Sequence, residues 1–319
     1  MTAALHRRLA EIVGSDRVRE NAPLAPLTTF RVGGPADWLV EARRGDEVQR
    51  ILSVGRDERV PVTVLGGGSN VLIADAGLRG IVIRVHGGEV VHVDRTRIRA
   101  DGGVTINGLV RWTISHGVAG LEAWAGTPGT VGGAIHGNAH FQGRLISELI
   151  ESVALASASG AATEVPVSEM EFGYDYSRLH RTGEVVLSAV FRISPGIPAD
   201  LRAVARESLA FRKRTQPLES ASAGCVFQNP DPARDVVPSG IPPSAGALVD
   251  RAGLKNVRAG GARVSTTHAN FIVNEGGATA AEIRDLIDRC KRDVAARFAV
   301  TLREEIVYLG FREGESDTA

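Results

Sequence analysis

The stretch Val60–Ile73, VPVTVLGGGSNVLI, decides how the chain is read. The apolar and β-branched run Val62–Leu65 meets Gly66, Gly67 and Gly68, then Ser69 and Asn70, and apolar sequence resumes at Val71. A short apolar run bounded by such a turn predicts a buried strand. Three successive glycines reach backbone angles closed to other residues, so consecutive N–H groups can converge on one point. A concave array of amides binds anions, phosphate above all, and Ser69 and Asn70 add side-chain donors beside it. The competing reading is a glycine-rich turn that serves packing alone. Two familiar phosphate loops are excluded: no Lys-Ser/Thr follows the glycines, and the spacing is not G-x-G-x-x-G opening a helix.

Around this loop the chain has the composition of an ordinary globular protein. Its 319 residues are 43% hydrophobic and 23% charged, enough for two or three cored domains. Lys+Arg and Asp+Glu balance at 37 each, which removes any electrostatic case for nucleic acid or an anionic membrane surface. The N-terminus, MTAALHRRLAEIV, reads as a short amphipathic helix rather than a signal peptide, and no run reaches membrane-spanning length. Cys225 and Cys290 are too few for a disulfide framework, as suits a reducing cytoplasm.

Going outward from the loop, Trp38–Val40 reads as a strand, Gly45–Asp57 as a helix and Gly80–Val85 as a strand. Val90–Val93 and Arg97–Ala100 follow as strands, then Thr105–His116 as a helix with Ile106, Leu109, Val110 and Ile114 at helical spacing. A second glycine cluster, Gly126–Ala134, lets a flat ligand approach the backbone, or lets two elements touch. Strands at Ser152–Ser157 and Glu184–Ile193 flank the polar loop Phe172–Ser177. Pro195–Pro198 marks a boundary. Beyond it come helices at Ala199–Arg214 and Ser244–Ala252, a strand at Phe271–Val273, and the clearest helix, Thr279–Phe298, with Cys290 on its apolar stripe. A last strand is expected at Val300–Leu309, with Glu304 and Glu305 on opposite faces, then a frayed tail from Gly310. The reading is an α+β protein in three parts, residues 1–86, 87–196 and 197–319.

The segments TTFRVGGPAD, VLGGGSNVLI, AGTPGTVGGA, AGCVFQNP, SAGALVDRAGLK, ARVSTTHANFIVNEG and LREEIVYLG occur in this order between residues 28 and 310. Together they resemble the UDP-N-acetylenolpyruvoylglucosamine reductase family (UDP-N-acetylmuramate dehydrogenase, MurB), in its shorter second type. The resemblance implies a vanillyl-alcohol-oxidase-type FAD fold in two α+β parts, with a third domain covering the substrate. It implies that Leu65, Gly66, Gly67, Gly68, Ser69 and Asn70 cradle the FAD pyrophosphate, and that Gly126, Thr127, Gly129, Thr130, Gly132 and Gly133 line the same cofactor. No His or Cys stands beside Gly66–Asn70, so FAD is expected to be non-covalent. The implied reaction uses NADPH to convert UDP-N-acetylglucosamine enolpyruvate into UDP-N-acetylmuramate, a peptidoglycan precursor, in the cytoplasm and without a metal. Competing readings are another FAD oxidase or dehydrogenase of the superfamily, and a UDP-sugar-binding relative without turnover.

In the family an arginine and a glutamate grip the substrate carboxylate and a serine donates a proton. The glutamate corresponds to Glu305, the serine to Cys225, and the Lys/Arg of the serine motif to Gln228. The Tyr-Arg pair corresponds to Tyr174-Asp175, so a carboxylate replaces the catalytic cation. A thiol keeps its proton at neutral pH and can donate it, whereas Asp175 would repel an anion. Arg178, Arg181 or another nearby arginine is expected to supply the missing charge, or Asp175 to point away. Arg214, Gln216 and Asn229 are read as contacts for the diphosphate or sugar, and Arg31 for the cofactor edge. His268 is read as a hydrogen-bonded cap at the start of a strand.

Overall fold

The computed structural model describes residues 2–311. The chain divides into two compact units. Met1–Ala22, Ala36–Gly67 and Arg79–Phe211 form the first; Pro23–Pro35, Gly68–Leu78 and the chain from Arg212 onward form the second. The glycine loop therefore straddles a division: Gly66 and Gly67 belong to the first unit, Gly68, Ser69 and Asn70 to the second.

The first unit is built on two larger sheets, beside the short pairs His140–Phe141 with Arg144–Leu145 and Val118–Ala119 with Ser194–Pro195. One has the order Val18–Pro23, Pro35–Ala42, Leu78–Val85, Val62–Leu65. Its last two strands run parallel, Val62 opposite Ile81 and Leu65 opposite Arg84. Parallel neighbours need a long crossover, and the chain between them supplies it by leaving for the second unit at Gly68 and returning at Arg79. Helices Thr2–Val13 and Gly45–Glu58 cover this sheet because Leu5, Leu9 and Val13, and Val48, Ile51 and Leu52, recur at helical spacing on buried faces. The Glu47 carboxylate accepts from the Arg43 N–H at 2.8 Å at the helix start and is gripped by Arg17 at 3.0 and 2.9 Å.

The other sheet is antiparallel throughout, ordered Ala162–Pro166, Ile150–Ala156, Val185–Arg192, Arg97–Asp101, Val90–His92. Helices Ile106–Ser115 and Val131–His136 pack into its core through Leu109, Val110, Val131 and Ile135, beside Trp124 and Phe191. Thr105 and Thr130 cap these helices, each hydroxyl accepting an N–H three residues on, at 3.0 and 3.3 Å. The edge strand Ala162–Pro166 escaped the sequence reading because only Val165 of its five residues is buried.

The second unit is built on helix Ala280–Phe298, whose Ile283, Leu286, Ile287, Cys290 and Val294 lie in its core. Thr279 and Glu282 form a reciprocal cap, and the Asp75 carboxylate accepts from the Ala280 and Ala281 N–H groups. Helix Ala245–Arg251 and the antiparallel strands Arg258–Ala259, Ala262–Val264 and Ile272–Asn274 complete the core. Strand Val71–Ile73 pairs in parallel with Val307–Leu309. The expected strand Val300–Leu309 is regular only over Val307–Leu309. Upstream it is extended, with Val300, Leu302 and Ile306 buried, but it pairs with a different partner, Phe227 opposite Glu304. The change of partner breaks the ladder. The frayed tail expected from Gly310 lies, past Phe311, outside the described residues.

Candidate active site

In the first unit the two glycine clusters meet backbone to backbone. A Cβ on Gly66 would collide with the Thr130 hydroxyl, and one on Gly67 would sit 2.6 Å from the Gly129 Cα. Gly132 donates to the Gly102 carbonyl at 2.8 Å, and Ile106 N–H to the Gly129 carbonyl at 3.0 Å. Gly126 and Gly129 take positive φ values of 83° and 99°. Asn107 fixes the second loop from both sides, its side chain accepting from Gly126 N–H at 2.7 Å and donating to the Thr127 carbonyl at 3.2 Å. The residues expected to line one cofactor from two places are thus brought together over Leu65–Gly67 and Gly126–Gly133. Asn107 was not singled out from the sequence, where it looks like one more polar helix position.

The loop Phe172–Ser177 is a tight turn in which Gly173 and Tyr176 exchange backbone hydrogen bonds at 3.0 and 3.4 Å. The buried Asn138 amide donates to the Gly173 carbonyl at 2.8 Å, and the Ser177 hydroxyl to the His136 carbonyl at 2.6 Å. Tyr174 stands exposed at the tip, whereas Asp175, with φ 52°, turns its side chain inward to 7% exposure. Its Oδ1 lies 3.1 Å from Nδ1 of His140, whose ring packs 4.9 Å from that of Tyr174. Burial, reinforced by His180, lowers His136 to about 4, so that ring is neutral at physiological pH. The arginines expected to serve Asp175 are engaged elsewhere. Arg178 grips Glu184 at 3.0 and 2.9 Å, and Arg181 holds Glu171 at 2.6 Å. The residue that meets Asp175 is His140, which the sequence reading passed over because it stopped at the end of the glycine cluster.

In the second unit three distant stretches share one backbone framework. Glu305 N–H donates to the Val226 carbonyl at 2.8 Å, and Gln228 N–H to the Arg303 carbonyl at 2.9 Å. The Asn70 amide donates to the Glu305 carbonyl at 3.0 Å, and Val307 N–H to the Asn70 carbonyl at 2.9 Å. Buried Asn270 clamps Phe227, accepting its N–H at 2.9 Å and donating to its carbonyl at 2.7 Å. Cys225, Gln228 and Glu305 are therefore brought together by pairing. Glu304 faces a different partner, Lys291, at 2.8 Å. Asn229 accepts from Ala245 N–H at 3.1 Å, so one of its groups is occupied in holding a helix start. Gly68, with φ 60°, presses against the Leu27 carbonyl, which leaves no room for a side chain.

Of the basic run Arg212-Lys213-Arg214, Arg214 is exposed and Arg212 is buried to 6%. Burial lowers Arg212 to about 10, and the charge of a Cys225 thiolate opposes that shift. The guanidinium remains cationic at neutral pH and within electrostatic range of the thiol. His268 matches its expected role, its Nδ1 accepting from Asn270 N–H at 3.2 Å. Burial, then Lys255, lowers its pKa and keeps it neutral. Among the described residues, no group of three or more His, Cys, Asp or Glu could hold a metal, and no helix is long and apolar enough to cross a membrane.

Residues 36–165 match a family model described as FAD binding domain, and residues 216–309 one described as UDP-N-acetylenolpyruvoylglucosamine reductase, C-terminal domain. The cradle at Gly66–Gly67 and Gly129–Thr130, which admits no side chain, fits such a cofactor. The fold is thus that of an FAD-binding protein extended by a second α+β unit. A UDP-N-acetylenolpyruvoylglucosamine reductase of Parasynechococcus marenigrum is 41% identical over 93% of this chain and 97% of that protein. One from Bacillus velezensis is 36% identical over 92% of this chain and 94% of that protein. The crystal structure of the Thermus caldophilus enzyme (MurB) superposes with a TM-score of 0.76 at 32% identity, covering 92% of this chain and 99% of that one. The chain belongs to the UDP-N-acetylenolpyruvoylglucosamine reductase family.

Proposed function

We propose that this protein reduces UDP-N-acetylglucosamine enolpyruvate to UDP-N-acetylmuramate with NADPH, in the cytoplasm. Residues 1–86 and 87–196 supply the FAD-binding halves, and residues 197–319 the substrate domain. Leu65–Asn70, with Gly126, Thr127, Gly129, Thr130, Gly132 and Gly133, would hold non-covalent FAD, which when bound would supply hydride transfer between NADPH and C3 of the enolpyruvyl ether. What remains falls to the chain's own residues. Negative charge develops at C2 and spreads into the carboxylate, where its stabilisation is a large part of catalysis. The Cys225 thiol donates the proton that C2 requires, and Glu305 meets the carboxylate end. Tyr174, Arg214, Gln228 and Asn229 contact the substrate.

The observation that best supports this reading is the pairing that sets Cys225 and Glu305 on adjacent backbone segments, with Asn70 of the glycine loop bonded to the second. The reading is tested by reducing the bound flavin anaerobically, adding the enolpyruvyl substrate and following the visible flavin band. Rapid reoxidation with formation of UDP-N-acetylmuramate is expected. A flavin that stays reduced while the UDP-sugar binds would favour the alternative that Asp175 raises, a relative without turnover.

A further inference from the structure

Helix Ile106–Ser115 starts against the second glycine loop, and four hydrogen bonds tie this start to residues 126–131. Two are made by backbone. Val131 N–H donates to the Val104 carbonyl at 2.8 Å and Ile106 N–H to the Gly129 carbonyl at 3.0 Å, so that Thr105 and Thr130 form an isolated antiparallel bridge. The other two come from one side chain. Asn107 Oδ1 accepts from Gly126 N–H at 2.7 Å, and its Nδ2 donates to the Thr127 carbonyl at 3.2 Å. A side-chain amide offers an acceptor and a donor side by side. An aspartate here would set a second acceptor against the Thr127 carbonyl, and a leucine of similar shape would offer neither group.

The backbone that Asn107 grips is one that resists ordering. Gly126 and Gly129 take φ values of 83° and 99°, a region glycine reaches without strain but at the largest loss of conformational freedom. The loop then passes directly to Gly129 and Thr130, against which Gly67 and Gly66 lie too closely for any Cβ. All of these residues belong to the first unit. A displacement at Gly126 and Thr127 is therefore carried into the place where the two loops abut. We propose that Asn107 is a positioning residue for the cofactor: it holds residues 126–130 in their FAD-binding form before FAD arrives, by clamping backbone. The ordering entropy of the loop is then met on folding and not on binding, which is how preorganisation raises affinity. The inference rests on the FAD reading of these loops and adds to it the side chain that shapes one of them.

The test strips FAD from the full-length protein and titrates it back, following flavin fluorescence. Asn107→Leu should raise the FAD dissociation constant roughly tenfold, the worth of one or two neutral hydrogen bonds, with the circular dichroism of the fold unchanged. The control is Thr105→Ala. It removes the hydroxyl that accepts from Gly108 N–H at 3.0 Å and so weakens the same helix start, but it leaves the backbone bridge and the Asn107 clamp in place. Its FAD affinity should stay within about twofold of wild type, although loss of a cap lowers stability. Asn107→Ser, too short to reach both loop groups, is read by the same criterion should the leucine variant not fold. Wild-type affinity in a folded Asn107 variant overturns the inference. Equal weakening by Thr105→Ala overturns it too, because the loop would then be answering to helix stability alone. A folded wild-type apoprotein that rebinds no FAD overturns the cofactor reading itself.

Discussion

The turn Gly173–Tyr176 in the first unit and the paired segments 225–228 and 303–307 in the second each carry a departure from the family pattern, and they accommodate it differently. At Cys225 a thiol replaces a hydroxyl. The replacement still carries a transferable proton, and its surroundings are ordinary: Asn270 and Glu305 hold the backbone, and Arg212 brings a positive charge nearby. At Asp175 a carboxylate stands where the resemblance implies an arginine. There the structure answers with a second residue, His140, and withdraws the carboxylate from solvent.

The sharpest break of this comparison is Cys225→Ala. It should lower turnover by roughly 10²- to 10⁴-fold, the usual worth of a general acid, while NADPH still bleaches the flavin at the wild-type rate in stopped flow. Cys225→Ser should recover most of the loss. Turnover unaffected by the alanine would remove Cys225 from the chemistry.

A second contrast uses the other buried carboxylate of the first unit. Glu47, at 2% exposure, is held by the permanent cation of Arg17, where Asp175 faces the imidazole of His140. Burial pushes the Glu47 carboxyl up, but the Arg17 hydrogen bonds and the Arg43 N–H outweigh it and its pKa is lowered. Its folded pKa therefore lies below the unfolded value, so its contribution is complete above the ordinary carboxylate range and disappears as pH falls through the lowered value. Arg17→Ala should cost about 3 kcal/mol by stranding that carboxylate, measured by urea unfolding at neutral pH. The deficit should shrink as the buffer is acidified below pH ~4. A deficit independent of pH would mean that Arg17 acts through packing alone.

Gly67→Ala probes the cofactor cradle, because the added Cβ meets backbone at Gly129 that cannot swing aside. FAD retained after gel filtration should fall while the circular dichroism of the fold persists; full retention would show that the loop has slack. The smallest effect concerns the thiols. Burial, with Asp293 adding to it, pushes Cys290 up to about 12, whereas Cys225 is partly exposed. Alkylation of the native protein should modify Cys225 and spare Cys290, as read by peptide mass mapping.

Much of this was legible in the residues. The run Val62–Leu65 is a strand with those ends, and Thr279 with Glu282 announces the long helix that follows. Helical spacing of Ile106, Leu109 and Val110 gives both a helix and its buried face. What escaped was whatever depends on pairing across the chain. The strand Ala162–Pro166 carries almost no apolar pattern because it lies at an edge, and Val300–Ile306 changes partner midway. His140 and Arg212 escaped for a related reason. A lone histidine after a glycine cluster and one arginine in a basic run carry no local mark of what they will face.

The sequence by itself determined most of the elements, the two glycine loops and the family, because these rest on local backbone freedom, on hydrophobic period and on ordered motifs. Only the tertiary structure decided that Gly66 and Gly67 abut Gly129 and Thr130, that Asn70, Cys225 and Glu305 share one framework, and that Asp175 meets His140 instead of an arginine. Periodicity is written residue by residue along the chain. The partner that a buried carboxylate meets is chosen by whatever the fold places within about 3 Å of it.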